Sequence, residues 1–133
     1  MNDVSRLNFI QRVIIRMMAL GCTLAILYLT LAPSKGTPVE TISDFTMGGD
    51  AGDAILHFLI FVIHTSLWVL ALRDLGEERS RQYALVLGLL LALGTETAQI
   101  FLPTRGAILM DYTANVIGVV FTVWWWRKLS EHN

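Results

Sequence analysis

Charge is what this sequence has least of. Asp, Glu, Lys and Arg make up 16% of its 133 residues and apolar residues 54%, against about 25% and roughly 45–50% in a soluble globular domain. A mean hydropathy of +0.56 argues against an ordinary soluble domain, and this much apolar side chain excludes a disordered or low-complexity chain. The net charge of -1 leaves no surplus of cations for nucleic acid, and no Lys/Arg stripe with interleaved aromatics is present, so no nucleic-acid partner is expected. Cys22 is the only cysteine, which excludes an intramolecular disulfide and a thiolate zinc cluster. Set in an apolar run, it reads as a small buried side chain rather than a reactive thiol. A P-loop, a dinucleotide-binding glycine fingerprint, an HExxH motif and internal repeats are also missing. Length predicts one domain over residues 1–133.

What the sequence has instead is long apolar stretches. Four run from Val13 to Ala32, Ala54 to Leu72, Tyr83 to Leu102 and Ala107 to Trp126, each near the ~20 residues a helix needs to cross a hydrocarbon core of about 30 Å. Lipid offers backbone N–H and C=O groups no partner, so such stretches must be helical. The predicted fold class is all-α, an integral membrane four-helix bundle. Arg6, Arg12 and Arg16 ahead of the apolar run from Met17 to Ala32 resemble the start of a signal peptide, but the only small-residue site, Thr30-Leu31-Ala32, is followed by Pro33. The segment is expected to remain as an uncleaved anchor, with residues from Val4 to Arg12 extending its helix into the interface.

Eight of the ten basic residues fall at the N-terminus, in the loop of Arg73, Arg79 and Arg81, and at Arg127-Lys128. Both termini are therefore expected to be cytoplasmic. Trp124-Trp125-Trp126 forms an aromatic belt beside that basic edge, with Trp68 and Tyr83 nearby. The outer side then holds a long loop from Pro33 to Asp53, the best candidate for a lid, and a tight Pro103-Thr104-Arg105-Gly106 turn. Gly88, Gly94 and Gly118 read as positions of close helix packing.

Seven polar residues within or at the ends of the last three stretches share one depth. Asp53 and His57 are spaced i, i+4, Glu96 and Gln99 i, i+3, and Asp111 and Asn115 i, i+4, so each pair lies on one helix face. In the orientation above all six sit in the outer half, Glu96 and Gln99 about 5–9 Å inside the end of their stretch, and Arg105 lies in the adjoining turn. Intramembrane carboxylates cost about 2.5 kcal/mol or more unless they pair or face water, so a shared cavity opening outward is the economical reading. Asp53 and Asp111 also stand where an N-cap would, and Gln99 and Asn115 could join helices through their amides. His64, seven residues deeper than His57, reads as a helix–helix hydrogen bond.

Three segments carry a resemblance: Asp53-Ala54-Ile55-Leu56-His57-Phe58, Glu96-Thr97-Ala98-Gln99-Ile100-Phe101-Leu102-Pro103-Thr104-Arg105, and Asp111-Tyr112-Thr113-Ala114-Asn115-Val116-Ile117-Gly118. In order and gaps they resemble the signature segments of the VanZ-like membrane family, over three of the four stretches. Ala54 departs from the pattern, since the family often has Lys beside the Asp. The resemblance implies a multi-pass protein of the bacterial cytoplasmic membrane, with a link to resistance against the glycopeptide teicoplanin. It maps family positions onto Asp53, His57, Glu96, Gln99, Arg105, Asp111 and Asn115.

Three functions compete. The first is an enzyme acting on an anionic, phosphate-bearing lipid or lipid-linked envelope precursor. Glu96 or Asp111 would activate a water or hydroxyl, His57 would protonate the leaving oxygen, and Arg105, Gln99, Asn115 and Asp53 would hold substrate. In a variant of this reading Asp53, His57, Glu96 and Asp111 hold a divalent metal ion such as Mg, Mn or Zn. The second is a binding module for such a lipid or for the antibiotic's lipid tail. The third is a small transporter or assembly partner; polar residues confined to one leaflet argue against a pathway through one chain, although a homodimer could build one.

Overall fold

A computed structural model describes residues 9–32, 50–102 and 109–132, with backbone alone at 50 and 51. Among them are the α-helices α1 (Phe9–Leu31), α2 (Asp50–Ala71), α3 (Glu77–Gln99) and α4 (Leu109–Glu131), with a short 3-10 turn over Arg73–Leu75 and no strand. Each helix is longer than its apolar stretch on at least one side, and in α3 and α4 polar residues carry the extension. Glu78 takes hydrogen bonds from Arg81 at 2.7 Å and Gln82 at 3.1 Å, and Glu131 from Arg127 at 3.1 Å and Lys128 at 2.9 Å. These one-turn pairs support helix where the hydropathy pattern has already ended.

The α2–α3 connection is tight. Leu75 N–H donates to Leu72 O at 3.0 Å and Gly76 N–H to Arg73 O at 3.1 Å, after which Gly76 turns the chain at φ +99° into α3. That backbone angle favours glycine, since a Cβ there meets the carbonyl. Arg73 also lies over the Trp126 ring, 5.5 Å from its centroid, and so ties the turn to α4.

Helix α2 is central. It packs most closely on α4, then on α3, while α1 lies against α2 and α3. Ile26, Phe61, Ala92 and Val119, one residue from each helix, meet in the core. Two glycines permit the closest crossings. A Cβ on Gly88 would stand 2.9 Å from Val119 Cγ1, and one on Gly118 would stand 2.7 Å from the Phe58 carbonyl oxygen. Gly94 differs from the expectation. A Cβ there would meet nothing within 4 Å, because the residue is on the exposed face of α3.

Polarity is inverted relative to a soluble bundle. The interior includes His64, Thr65, Ser80, Thr95, Glu96, Gln99, Asp111, Asn115 and Thr122, whereas Leu24, Leu59, Leu90 and Val120 are among the large apolar side chains exposed on all four helices. Several buried hydroxyls return to their own helix, as Thr95 does to Leu91 O and Thr122 to Gly118 O, both at 2.8 Å. Two of the four expected spans, α1 and Gly52–Ala71 of α2, are long and apolar enough to cross a membrane. α3 and α4 have the length, 23 residues each, but do not meet the same hydropathy test. They carry Glu96 and Gln99, and Asp111 and Asn115, within the helix.

Helix α1 is held at three levels. Near one end Arg16 donates to both Asp74 carboxylate oxygens, at 3.0 and 2.8 Å, and through Nε to Ala71 O at 3.2 Å. In the middle Thr23 Oγ1 lies 3.0 Å from His64 Nε2, and the Trp68 indole N–H is 3.1 Å from both. The helix–helix role expected of His64 is what the geometry shows. At the other end Gln99 Nε2 donates to Thr30 O at 3.1 Å.

The hydrogen bond from Arg16, helped by its charge, holds the Asp74 carboxyl below its ordinary value of 3.8. A depressed folded pKa gives stability that is present above the unfolded value and lost as pH falls through the folded one. Asp74→Asn is therefore expected to lower the melting temperature slightly at pH 7, by less than about 1 kcal/mol for so exposed a pair. The gap to wild type should narrow as pH falls below the ordinary carboxyl value of 3.8. Melting curves from pH 7 to pH 2.5 check this; a gap that does not narrow would refute the ion pair's contribution.

Candidate functional site

Asp53 and His57 lie one turn apart on α2, Glu96 and Gln99 on α3, and Asp111 and Asn115 on α4. Because α2 packs on both α3 and α4, three of these six side chains meet. His57 Nδ1 donates to Asn115 Oδ1 at 2.9 Å, and Asn115 Nδ2 donates to Glu96 Oε1 at 2.9 Å. His57 Nδ1 also lies 3.5 Å from Glu96 Oε1. One amide thus bridges an imidazole and a carboxylate drawn from three helices.

Chemistry fixes the direction of these bonds. An ionised carboxylate only accepts, so the amide nitrogen faces Glu96 and the amide oxygen faces His57. An amide oxygen also only accepts, so His57 carries a proton on Nδ1, the arrangement in which Nε2 is the nitrogen left to exchange a proton with a substrate. Exposure runs the same way: the Glu96 side chain is 0% exposed and that of His57 is 22%. The histidine is the outward member of the chain, and the carboxylate stands behind it.

The other expected residues divide. Asp111 is buried on the same face of α4 as Asn115, and Asp53 is half-buried in the first turn of α2. At that position its charge suits the positive end of the helix dipole, within the helix rather than as a cap. Gln99 is turned away from the bridge, 5% exposed, and its amide caps one of the last carbonyls of α1 at Thr30. Among the described residues the geometry shows the helix-joining role for Gln99. Arg105, with the rest of its turn and the loop from Pro33 to Gly49, lies outside the described residues.

One contact was not read from the sequence. Thr97 Oγ1 and the Tyr112 hydroxyl are 2.9 Å apart at the same end of the bundle. Their signal is position, each beside a site carboxylate, Glu96 and Asp111.

As for the metal reading, no three His, Cys, Asp or Glu side chains are grouped to hold an ion among the described residues. His57 Nδ1 and Glu96 Oε1 are each bonded to Asn115 instead. Comparison of the chain with protein-family models, curated proteins and solved structures finds no match.

Proposed function

We propose that this chain is a VanZ-like, four-span protein of the bacterial cytoplasmic membrane with both termini inside. Its outward-facing site binds and chemically processes an anionic, phosphate-bearing lipid or lipid-linked envelope precursor. Support for the membrane comes from the apolar exterior of all four helices around a partly polar interior. A core helix of a soluble protein would be covered, yet only 11% of the apolar window of α1 is buried. Trp124 and Trp125 face outward beside Arg127 and Lys128, which suits an interfacial belt at the basic edge.

The observation that carries the catalytic reading is the Glu96–Asn115–His57 chain. In this mechanism His57 Nε2 takes the proton of an attacking water or hydroxyl as that oxygen bonds to phosphorus. The same nitrogen then returns the proton to the leaving oxygen as its bond to phosphorus breaks. The imidazolium formed between these steps faces Glu96 Oε1, whose charge stabilises it, while Asn115 holds the ring. Glu96 acts as a positioning residue and does not touch the reacting atoms. Arg105, which follows Glu96 and Gln99 in sequence, supplies the fork that grips a phosphate.

The burial of Glu96 and Asp111 favours a second reading, a lipid-binding module without turnover, and one experiment separates the two. Detergent-purified protein is incubated with a bacterial lipid extract, and retained and altered lipids are identified by mass spectrometry. Catalysis predicts conversion of a phosphate-bearing lipid, slowed about 100-fold or more by His57→Gln and less by Glu96→Gln. Retention of a lipid with no conversion by wild type would establish the binding module instead. Cells expressing wild type should tolerate more teicoplanin than cells expressing His57→Gln; equal tolerance would remove the link to resistance.

A further inference from the structure

A cleft of about 290 Å3 between α1 and α3, with α2 as its floor, is lined by Thr23, His64, Trp68, Leu87, Leu90 and Leu91. The Thr23 hydroxyl, His64 Nε2 and the Trp68 indole N–H are engaged with one another, so the surface turned to the cleft is almost entirely apolar. Water has no partners there, and apolar cavities stay dry. Towards the candidate site the cleft is closed by the core of Ile26, Phe61 and Ala92 and by the Gln99–Thr30 bond. Its other end points to the basic edge, where Tyr83 is 53% exposed on α3.

Both walls carry arginine at that edge. On α1, Arg12, Arg16, Ala19 and Thr23 follow at i, i+4, i+7 and i+11, and on α3 Arg79, Tyr83, Val86 and Leu90 do the same, so each series lies along one helix face. Eleven residues of helix rise about 16 Å, close to half of a hydrocarbon core of about 30 Å. The arginines and the cleft are thus separated by about the depth of one leaflet. The acids at this edge already have cations: Asp74 is held by Arg16, Glu77 by Arg73, Glu78 by Arg81, and Glu131 by Arg127 and Lys128. Arg12 acts on Asp74 only from farther off, and neither Arg12 nor Arg79 has an ion pair among the described residues. We propose that the cleft holds one acyl chain of an anionic phospholipid from the leaflet at the basic edge, its phosphate taken by Arg12 and Arg79. The planar guanidinium fork matches a phosphate, and cations at a membrane surface attract anionic head groups. This second lipid site is separate from His57 and rests on the membrane reading alone; a chain without catalytic activity would hold the same lipid.

The test reads the fluorescence of Trp68, which lines the cleft, in a full chain carrying Trp124→Phe, Trp125→Phe and Trp126→Phe, so that no other indole is present. The chain is placed in phosphatidylcholine nanodiscs to which phosphatidylglycerol or phosphatidylcholine with brominated acyl chains is added; bromine quenches an indole it touches. Brominated phosphatidylglycerol should quench Trp68 at about tenfold lower fraction than brominated phosphatidylcholine. Arg12→Gln with Arg79→Gln should bring the two lipids level, whereas Lys128→Gln should leave the difference in place. Equal quenching by the two lipids with both arginines present, or quenching by neither, would overturn the proposal. Glycerol phosphate, a head group without a chain, should not relieve the quenching; relief would show a phosphate site that needs no chain and overturn it as well. Native mass spectrometry of the chain with all four tryptophans gives a second reading from mixed micelles. Wild type should retain one phosphatidylglycerol and the double arginine variant none, and retention by both would remove the arginines from the site. A chain that cannot be reconstituted into a bilayer would overturn the membrane reading, and this site with it.

Discussion

Asn115→Leu is expected to cost more stability than any other single substitution in the candidate site, and to lower activity with it. Leucine is close to asparagine in size, so the effect is one of bonding rather than of space. It removes the acceptor for His57 Nδ1–H and the donor to Glu96 Oε1 at once. A buried polar group that loses its partner costs about 1–3 kcal/mol, and more when it is charged. Two such losses, one at a carboxylate, add up to about 4 kcal/mol, of the order found when one member of a buried ion pair is removed. In a domain of this size that lowers the melting temperature by more than about 10 °C. Glu96→Gln provides the contrast. It keeps an oxygen for the Asn115 amide and removes only the charge, so it should retain most of the stability while slowing the proposed reaction. Melting of the two variants in the same detergent measures this; an Asn115→Leu protein that melts with wild type would show that the amide bridge contributes nothing.

Glu96, Asn115 and His57 stood out in the sequence because long apolar stretches make polar residues conspicuous. Against leucine and valine neighbours, each pair at i, i+3 or i, i+4 defines a face without any knowledge of the fold. What spacing does not give is which neighbour a face meets. Glu96 and Gln99 are three positions apart, about 60° around the helix, and that angle is enough to send Glu96 towards α4 and Gln99 towards α1. The partner of Gln99 was hidden for a second reason, since Thr30 answers with its backbone carbonyl and a carbonyl leaves no mark on a sequence. The buried hydroxyls of Thr95 and Thr122 were silent too, because each is satisfied within its own helix. Helix ends were displaced for a related reason. Apolar stretches report burial in lipid or core, whereas Glu78, Arg81 and Glu131 continue a helix through charge pairs that hydropathy does not register.

Gly118 connects this site to the fold, and Gly118→Val is expected to damage both. The first atom added would stand 2.7 Å from the Phe58 carbonyl oxygen and 3.2 Å from Phe61 Cβ. The carbonyl belongs to the α2 backbone and cannot rotate away, so α2 and α4 must move apart. Overpacking of this kind costs about 3 kcal/mol, and Gly118→Ala, with one carbon instead of three, should cost less. The consequence extends to chemistry because Phe58 follows His57 and Gly118 is one turn past Asn115. Separating the helices at Gly118 lengthens the 2.9 Å bond between His57 and Asn115, so the proposed activity should fall more than melting alone would predict. Gly94→Ala should have the opposite sign. Nothing lies within 4 Å of its new Cβ, and alanine in an exposed helix is favoured over glycine by about 0.8–1.0 kcal/mol. Melting temperatures that fall for Gly118→Val and rise for Gly94→Ala would support the close α2–α4 crossing; a Gly118→Val protein as stable as wild type would refute it.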